Sequence, residues 1–466
     1  MSTCNLISDR ADPADVALIR DCNLFDAVHY RRERGMPQAT DDDLICDYIA
    51  NWQTAKVEPA PHFDGESYIQ RHLGGSTDLP PLLHFLRFGC QSGLNPWSEA
   101  SVLAWQEPFL QDPDRAVSVL EQAKGAWPRL GPGARVAVHV HPQSHIVFHE
   151  FQSMLIAGFR HLGIKAQPAQ ADFETLADLR LIIAPHDFFY LDPRIDPALM
   201  NLKTCILFNT EQIPSFWFGR AYRFLRTAAG VLDINLQTAA CLSQLGLPVR
   251  FLPLGRIEGF PLFQQTLPIP KEYADWSGTE AAGTIDADHP LAERPIDLLW
   301  IGSNARRRQA FWERAKPTFD QHASFVRLVN VKGALKADHP DAISGLAFAA
   351  LARQSKILLN VHHFDAPYFE WQRLMHFGFL QGACVVSETV SQIPGMQPGS
   401  HYLQTDIAQL PAYVDWLLRD DEGRATLDRV RLQGQAAAMQ HYDLPQTLAA
   451  IFLAHSGCVD DVDAPS

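Results

Sequence analysis

The chain has 466 residues, 47% of them hydrophobic and 20% charged, with 39 Lys and Arg against 53 Asp and Glu and a formal net charge of -14. That length exceeds one ordinary core and predicts two or three domains, and the composition is that of a folded chain, not a disordered one. The acidic surplus disfavours non-specific binding to nucleic acid or to an anionic membrane.

The eight cysteines are scattered without a C-x-x-C pair. They suggest neither a disulfide framework nor a zinc knuckle, and a reducing compartment suits them. The opening MSTCNLISDRADPADVAL lacks the basic-then-apolar layout of a signal peptide. No apolar run approaches the roughly 20 residues that span a bilayer. The expected location is the cytoplasm, with peripheral attachment at the inner membrane left open and no transmembrane segment.

Residues 1–125 contain a degenerate repeat. Phe25-Asp26 with Tyr30 recurs as Phe63-Asp64 with Tyr68, each followed by a short apolar helical stretch, DLICDYIANW and PPLLHFLRFG. Such a period marks one supersecondary unit stacked on the next, so a small helical interaction module is expected, separable from the rest of the chain. Over 126–258, ARVAVHVH reads as a strand and HEFQSMLIAGFRHLG as a helix. The strands LRLIIAP and TCILFNTEQ come next, then GVLDINLQTAACLSQLG and VRFLPLG. Strands alternating with helices predict parallel βαβ units.

Residues 259–295 are rich in Pro, Gly, Asp and Ala and read as a linker with an insertion. A second α/β half over 296–445 opens at IDLLWIGSNARRRQAFW and continues through KILLNVHHFD to GACVVSE; 446–466 reads as a tail. The predicted fold class is α/β, with two Rossmann-like domains facing a cleft and a small, mostly helical repeat module before them.

Ligands of open α/β sheets bind at the carboxyl ends of the strands. In the first half those ends carry His145, His186-Asp187 and Glu211. In the second they carry Gly302-Ser303-Asn304, then Arg306 and Arg307, His362-His363, and Ser387-Glu388. A glycine turn followed by a helix and arginines offers backbone N–H groups and guanidiniums to a diphosphate. His139, His141, His145 and His149 invite a metal reading, but no Cys joins them and Glu150 is expected to point elsewhere. No metal site is predicted, and a base or acceptor-binding role suits one of them better. A hydrolase triad has no G-x-S-x-G elbow to stand on.

The segment KILLNVHHFDAPYFEWQRLMHFGFLQGACVVSE resembles the donor half of GT-B glycosyltransferases of bacterial surface polysaccharide and glycan synthesis. Glu370, Arg373, Gly382, Val385, Val386, Ser387 and Glu388 match its helix and G-x-x-V-V-S-E strand. LLWIGSNARRRQAF resembles the opening of that half, and FNTEQIPSFW and VRFLPLG resemble the acceptor half. The FD-x-x-x-Y repeats resemble modules attached to such enzymes.

The resemblance implies donor-binding roles for Gly302, Ser303, Asn304, Arg306, Arg307, Glu370, Arg373, Ser387 and Glu388. It implies a nucleotide-sugar as substrate, no separate cofactor, and a glycan, lipid-linked or protein acceptor, with a protein partner for the repeats as a further candidate. The second Glu that many retaining members carry shortly before the strand glycine has no counterpart: Phe377 stands there, and retaining chemistry is not implied. For an inverting transfer, His145, Asp187 and Glu211 are the candidate bases. The alternatives are a non-catalytic sugar- or nucleotide-binding protein on the same fold and an epimerase or dehydrogenase. The G-S-N turn, without G-x-G-x-x-G, speaks against the last.

Overall fold

The computed structural model describes residues 11–122, 127–169, 176–192, 194–195, 201–278, 283–330 and 333–453. The helical module comprises α1 (Pro13–Arg20), α2 (Ala27–Arg34), α3 (Asp41–Ala55), α4 (Gly65–His72), α5 (Pro81–His84), α6 (Glu99–Leu110) and α7 (Pro113–Gln122). Its repeat has a local physical cause. Asp26 and Asp64 are the N-caps of α2 and α4, their carboxylates accepting from Val28 and His29 N–H and from Ser67 N–H. Phe25 and Phe63 precede the caps and face Tyr30 and Tyr68 one turn on, with ring centroids 5.2 and 6.5 Å apart. The motif is therefore a capped helix start with a hydrophobic staple. Both tyrosines are buried, and their hydroxyls reach the next helix, at Asp47 (2.9 Å) and His84 (3.0 Å).

The first α/β domain alternates β1 (Arg135–His139), α8 (Ile146–His161), β2 (Lys165–Ala169), β3 (Leu179–Ile183), α9 (Pro185–Phe188), β4 (Cys205–Asn209), α10 (Phe216–Leu225), β5 (Gly230–Asp233), α11 (Leu236–Gln244) and β6 (Val249–Phe251). All neighbours pair in parallel, in the order β2-β1-β3-β4-β5-β6. The chain then forms a hairpin, β7 (Thr266–Pro268) and β8 (Thr284–Asp286), with α12 (Lys271–Ser277) between its strands. The stretch read as a linker thus carries structure, and Leu262 and Leu267 pack into the core of the second domain.

That domain contains β9 (Ile296–Ser303), α13 (Arg306–Phe319), β10 (Ser324–Val329), α14 (Gly345–Arg353), β11 (Ser355–Asn360), β12 (Cys384–Ser387), β13 (Leu403–Gln404), α15 (Leu410–Arg419) and α16 (Asp421–His441). Its sheet is again wholly parallel, ordered β10-β9-β11-β12-β13. The two Rossmann-like domains face a cleft, the architecture predicted from the sequence. A wide π-helical turn, Gln372–Gly378, comes after Glu370; such turns recur at functional sites.

Two features depart from the sequence reading. The beginning of the supposed tail forms α17 (Leu444–Phe452), which returns to the first domain and shares a core with α8. The crossing is tight: a Cβ on Gly255 would stand 2.3 Å from the Tyr442 carbonyl oxygen, so only glycine lets the outgoing and returning chain pass. The helical module, expected to be separable, is not a separate body. Its Trp97, Phe85 and Leu82 belong to one core with Phe218, Tyr222 and Leu242 of α10 and α11, and the Trp97 ring lies 4.8 Å from that of Tyr222. Asn95 Nδ2 donates to the Ile213 and Ser215 carbonyls at 2.6 and 2.8 Å, fixing the turn before α10. Each large apolar side chain buried there contributes about 1.5–3 kcal/mol, so the first domain depends on the module. Among the described residues no helix is long and apolar enough to cross a membrane.

Candidate active site between the two sheets

The strand ends of both sheets meet at a cleft of about 470 Å³. From the first domain, Glu211 stands just after β4. It lines the cleft with its side chain 22% exposed, and Ser215 Oγ donates to its Oε2 at 3.3 Å. Burial, and then the neighbouring Asp187 charge, push its carboxyl up to about 7. A carboxylate poised there can take a proton from a hydroxyl near neutral pH.

His145 also lines the cleft, but it is not a base. As the N-cap of α8 its Nδ1 accepts from Val147 N–H at 3.2 Å, and burial lowers its pKa to about 4. The ring is therefore neutral, carries its proton on Nε2, and can only donate to a ligand. Asp187 sits behind the cleft wall, 6% exposed, and accepts from the His145 backbone N–H at 3.3 Å. Burial raises its pKa too. Its part is to hold the loop before α8, and it does not line the cleft. His186, buried and lowered to about 3 by burial, places Nε2 3.4 Å from Glu211 Oε1. The four histidines around residue 145 do not gather, and no cluster of metal-ligating side chains occurs among the described residues.

From the second domain, Gly302 and Ser303 end β9 and line the cleft, and α13 begins directly after them with no side-chain cap on its first N–H groups. Below this turn Glu370 is held by two arginines. Arg308 Nη2 donates to Oε1 at 2.6 Å and Arg373 Nε to Oε2 at 2.9 Å. Burial alone would raise the Glu370 pKa, but Arg373 and Arg308 outweigh it and hold it at about 2. Arg308 also donates to the Val361 carbonyl and to Ser303 Oγ. Arg373 donates through Nη1 to the Ile301 carbonyl at 2.8 Å, while its Nη2 has no hydrogen-bond partner among the described residues. That nitrogen lies 2.9 Å from where a Cβ on Gly302 would stand, so the glycine makes room for it. Two guanidiniums around one carboxylate leave net positive charge beside uncapped helix N–H groups, the composition of an anion site.

The remaining candidates fall outside the cleft lining. Arg307 forms a bidentate pair with Glu388 at 2.8 and 2.6 Å and reaches Asp365 at 2.5 Å, while Glu388 also accepts from His362 N–H. Ser387 Oγ is buried and accepts from Asn360 Nδ2, and Asn304 bonds Asn330. Arg306 opens α13 and does not line the cleft. Sequence reasoning chose the wrong arginine: of three consecutive ones, only Arg308 turns inward, which the helical phase of α13 decides.

Glu150, expected from the sequence to point elsewhere, lines the cleft instead. It spans the domains, accepting from Gly345 N–H at the start of α14 (2.7 Å) and from Gln372 Nε2 (3.0 Å). Tyr368, Trp217 and His363 are among the other polar and aromatic lining residues. Val329, Leu335, Ile343, Phe348 and Phe377, which line the cleft and pack in one core, form an apolar recess, with the Phe348 and Phe377 rings stacked at 4.0 Å.

No family model matches the sequence, and no curated protein matches it. Among solved structures, Anabaena HepE in complex with UDP and glucose is similar over 68% of this chain and 98% of its own, at 12% identity and TM-score 0.44. Sucrose-phosphate synthase from Thermosynechococcus elongatus covers 68% of this chain and 97% of its own, at 11% identity and TM-score 0.42. A glycosyltransferase from Rickettsia africae covers 68% and 96%, at 7% identity and TM-score 0.39. The fold assignment rests on the strand order and pairing of this chain itself.

Proposed function

We propose that this chain is a GT-B glycosyltransferase that moves a sugar from a nucleotide-sugar donor to a glycan, lipid-linked or protein acceptor in bacterial cell-surface glycan synthesis, without a metal ion. The observation that carries the reading is the opposition of Glu211 on one wall to the Arg308–Glu370–Arg373 group under the Gly302 turn on the other. The apolar recess at Phe348 and Phe377 suits a flat base. The Arg373 Nη2, unbonded among the described residues, and the first N–H groups of α13 suit the diphosphate. In the transfer the acceptor oxygen bonds to the anomeric carbon and its proton passes to Glu211. The bond from that carbon to the phosphate oxygen breaks, and its electron pair leaves on the diphosphate, where the arginines balance the charge. Attack from the wall opposite the leaving group is the geometry of an inverting displacement.

The test is a scan of UDP-, GDP-, CMP- and dTDP-sugars for donor hydrolysis. Release of nucleoside diphosphate from at least one donor, lost in Arg373→Gln, supports the reading. One observation favours a second reading, a non-catalytic binding protein: Phe377 occupies the place of the second Glu of retaining relatives and is packed against Phe348. Tight nucleotide-sugar binding with no turnover on any donor would select that alternative.

A further inference from the structure

Beside the cleft mouth, α10 presents an arginine with an unusual set of neighbours. The Arg220 guanidinium carbon lies 4.5 Å from the Phe216 ring centroid, 4.8 Å from Tyr190 and 5.3 Å from Trp217. Among the described residues it has no hydrogen bond and no ion-pair partner. Asp187, the carboxylate whose charge it influences, is buried and occupied by the His145 backbone N–H. Phe216 is 54% exposed, so its ring is accessible to a ligand from solvent. Trp217 belongs both to this shelf and to the cleft lining, and its ring lies 6.0 Å from His186 beside Glu211.

The helical module builds the underside. Gly93, at φ +71°, leaves room for Arg220 and Tyr190, since a Cβ there would stand 2.9 Å from Arg220 Cγ and 3.0 Å from Tyr190 Oη. Arg223 of the same helix donates to the Gln91 carbonyl at 2.7 Å. A cation set among rings, bonded to no carboxylate among the described residues and continuous with the site of the proposed base, is a receptor for an anion attached to a flat apolar face. A pyranose offers such a face, and its carboxylate the charge.

We propose that Arg220, Phe216, Trp217 and Tyr190 form an acceptor subsite for an acidic sugar, a hexuronic residue whose ring lies against the exposed Phe216 ring, with the Trp217 edge beside it, and whose carboxylate meets Arg220. The module thereby takes part in acceptor recognition. The assignment rests on the glycosyltransferase reading, whose own test, donor hydrolysis, is a separate measurement.

Saturation-transfer NMR titrations of the full chain with methyl β-D-glucuronide, methyl β-D-glucoside and inorganic phosphate decide it. The glucuronide binds about tenfold more tightly than the glucoside, the factor of one partly exposed charge-assisted contact, and phosphate does not displace it at equal concentration. Arg220→Gln abolishes that preference while keeping glucoside binding, and Phe216→Ala weakens both sugars; nucleotide affinity is unchanged in each variant, which shows that they fold. Equal binding of the two sugars by the wild type, phosphate competing as an equal, or a preference that survives Arg220→Gln overturns the assignment.

Discussion

Replacing Arg373 by glutamine removes a cleft guanidinium whose Nη2 has no hydrogen-bond partner among the described residues. In the folded protein it also removes a 2.9 Å bond to Glu370, a 2.8 Å bond to the Ile301 carbonyl and a contact 5.3 Å over the Trp300 ring. Glu370 is not abandoned, because Arg308 still holds it at 2.6 Å. The stability cost is therefore about 1–3 kcal/mol, the range for lost hydrogen bonds to charged groups, and not the roughly 3–5 kcal/mol of an orphaned buried charge. Donor binding loses one charge-assisted phosphate contact, about 1.5–3 kcal/mol, or about tenfold to 150-fold in Kd. Arg307→Gln is the control: it breaks a stronger-looking bidentate pair, with Glu388, but one outside the cleft. Calorimetry with whichever nucleoside diphosphate the wild type binds, beside thermal unfolding of both variants, separates affinity from stability. Wild-type Kd in folded Arg373→Gln, or an equal loss in Arg307→Gln, would refute the assignment of the phosphate site.

Glu211→Gln keeps the fold and donor binding but lowers kcat at least a hundredfold, about what one general base contributes. The wild-type kcat/KM rises with pH through about 7 as that carboxyl ionises; a profile flat across that range counts against Glu211 as the base. Glu150, pushed up to about 7 chiefly by burial, contributes stability that is present below its ordinary 4.5 and lost as pH rises through about 7. Between its ordinary 4.5 and about 7 the unfolding midpoint should therefore fall further in the wild type than in Glu150→Gln, and parallel curves would show that the bridge does not titrate. With arginines assigned to the diphosphate, EDTA leaves turnover intact, and restoration of lost activity by manganese or magnesium would transfer that role to a metal. Expressing 126–466 without the module exposes the Phe218 and Tyr222 face of α10, so this fragment should aggregate; a soluble, cooperatively unfolding fragment would show that the shared core is dispensable.

The two α/β halves were legible in the sequence because a parallel strand buried on both faces must be an apolar run, and ILFN and CVVS sit in registers that admit no other reading. Strand ends come with the strands, so Glu211, Gly302 and Ser303 could be placed at the strand ends that line the cleft from the sequence alone. The FD-x-x-x-Y repeat was equally readable, since a cap and a staple act within one helical turn. What the sequence could not decide was direction and partnership over distance. Arg306, Arg307 and Arg308 are chemically identical, and the rotation of α13 about its axis, set by packing of Phe311 and Trp312 in the core, sends only Arg308 into the cleft. His145 reads as a base until its Nδ1 is seen capping α8. Glu150 and Gly345 lie far apart along the chain, and the module's Trp97 meets Tyr222 across a comparable gap. Local order is written in neighbouring residues, whereas such contacts exist only once both sheets, the module and the returning α17 have packed, and that packing decides which charges face the cleft and which neutralise one another outside it.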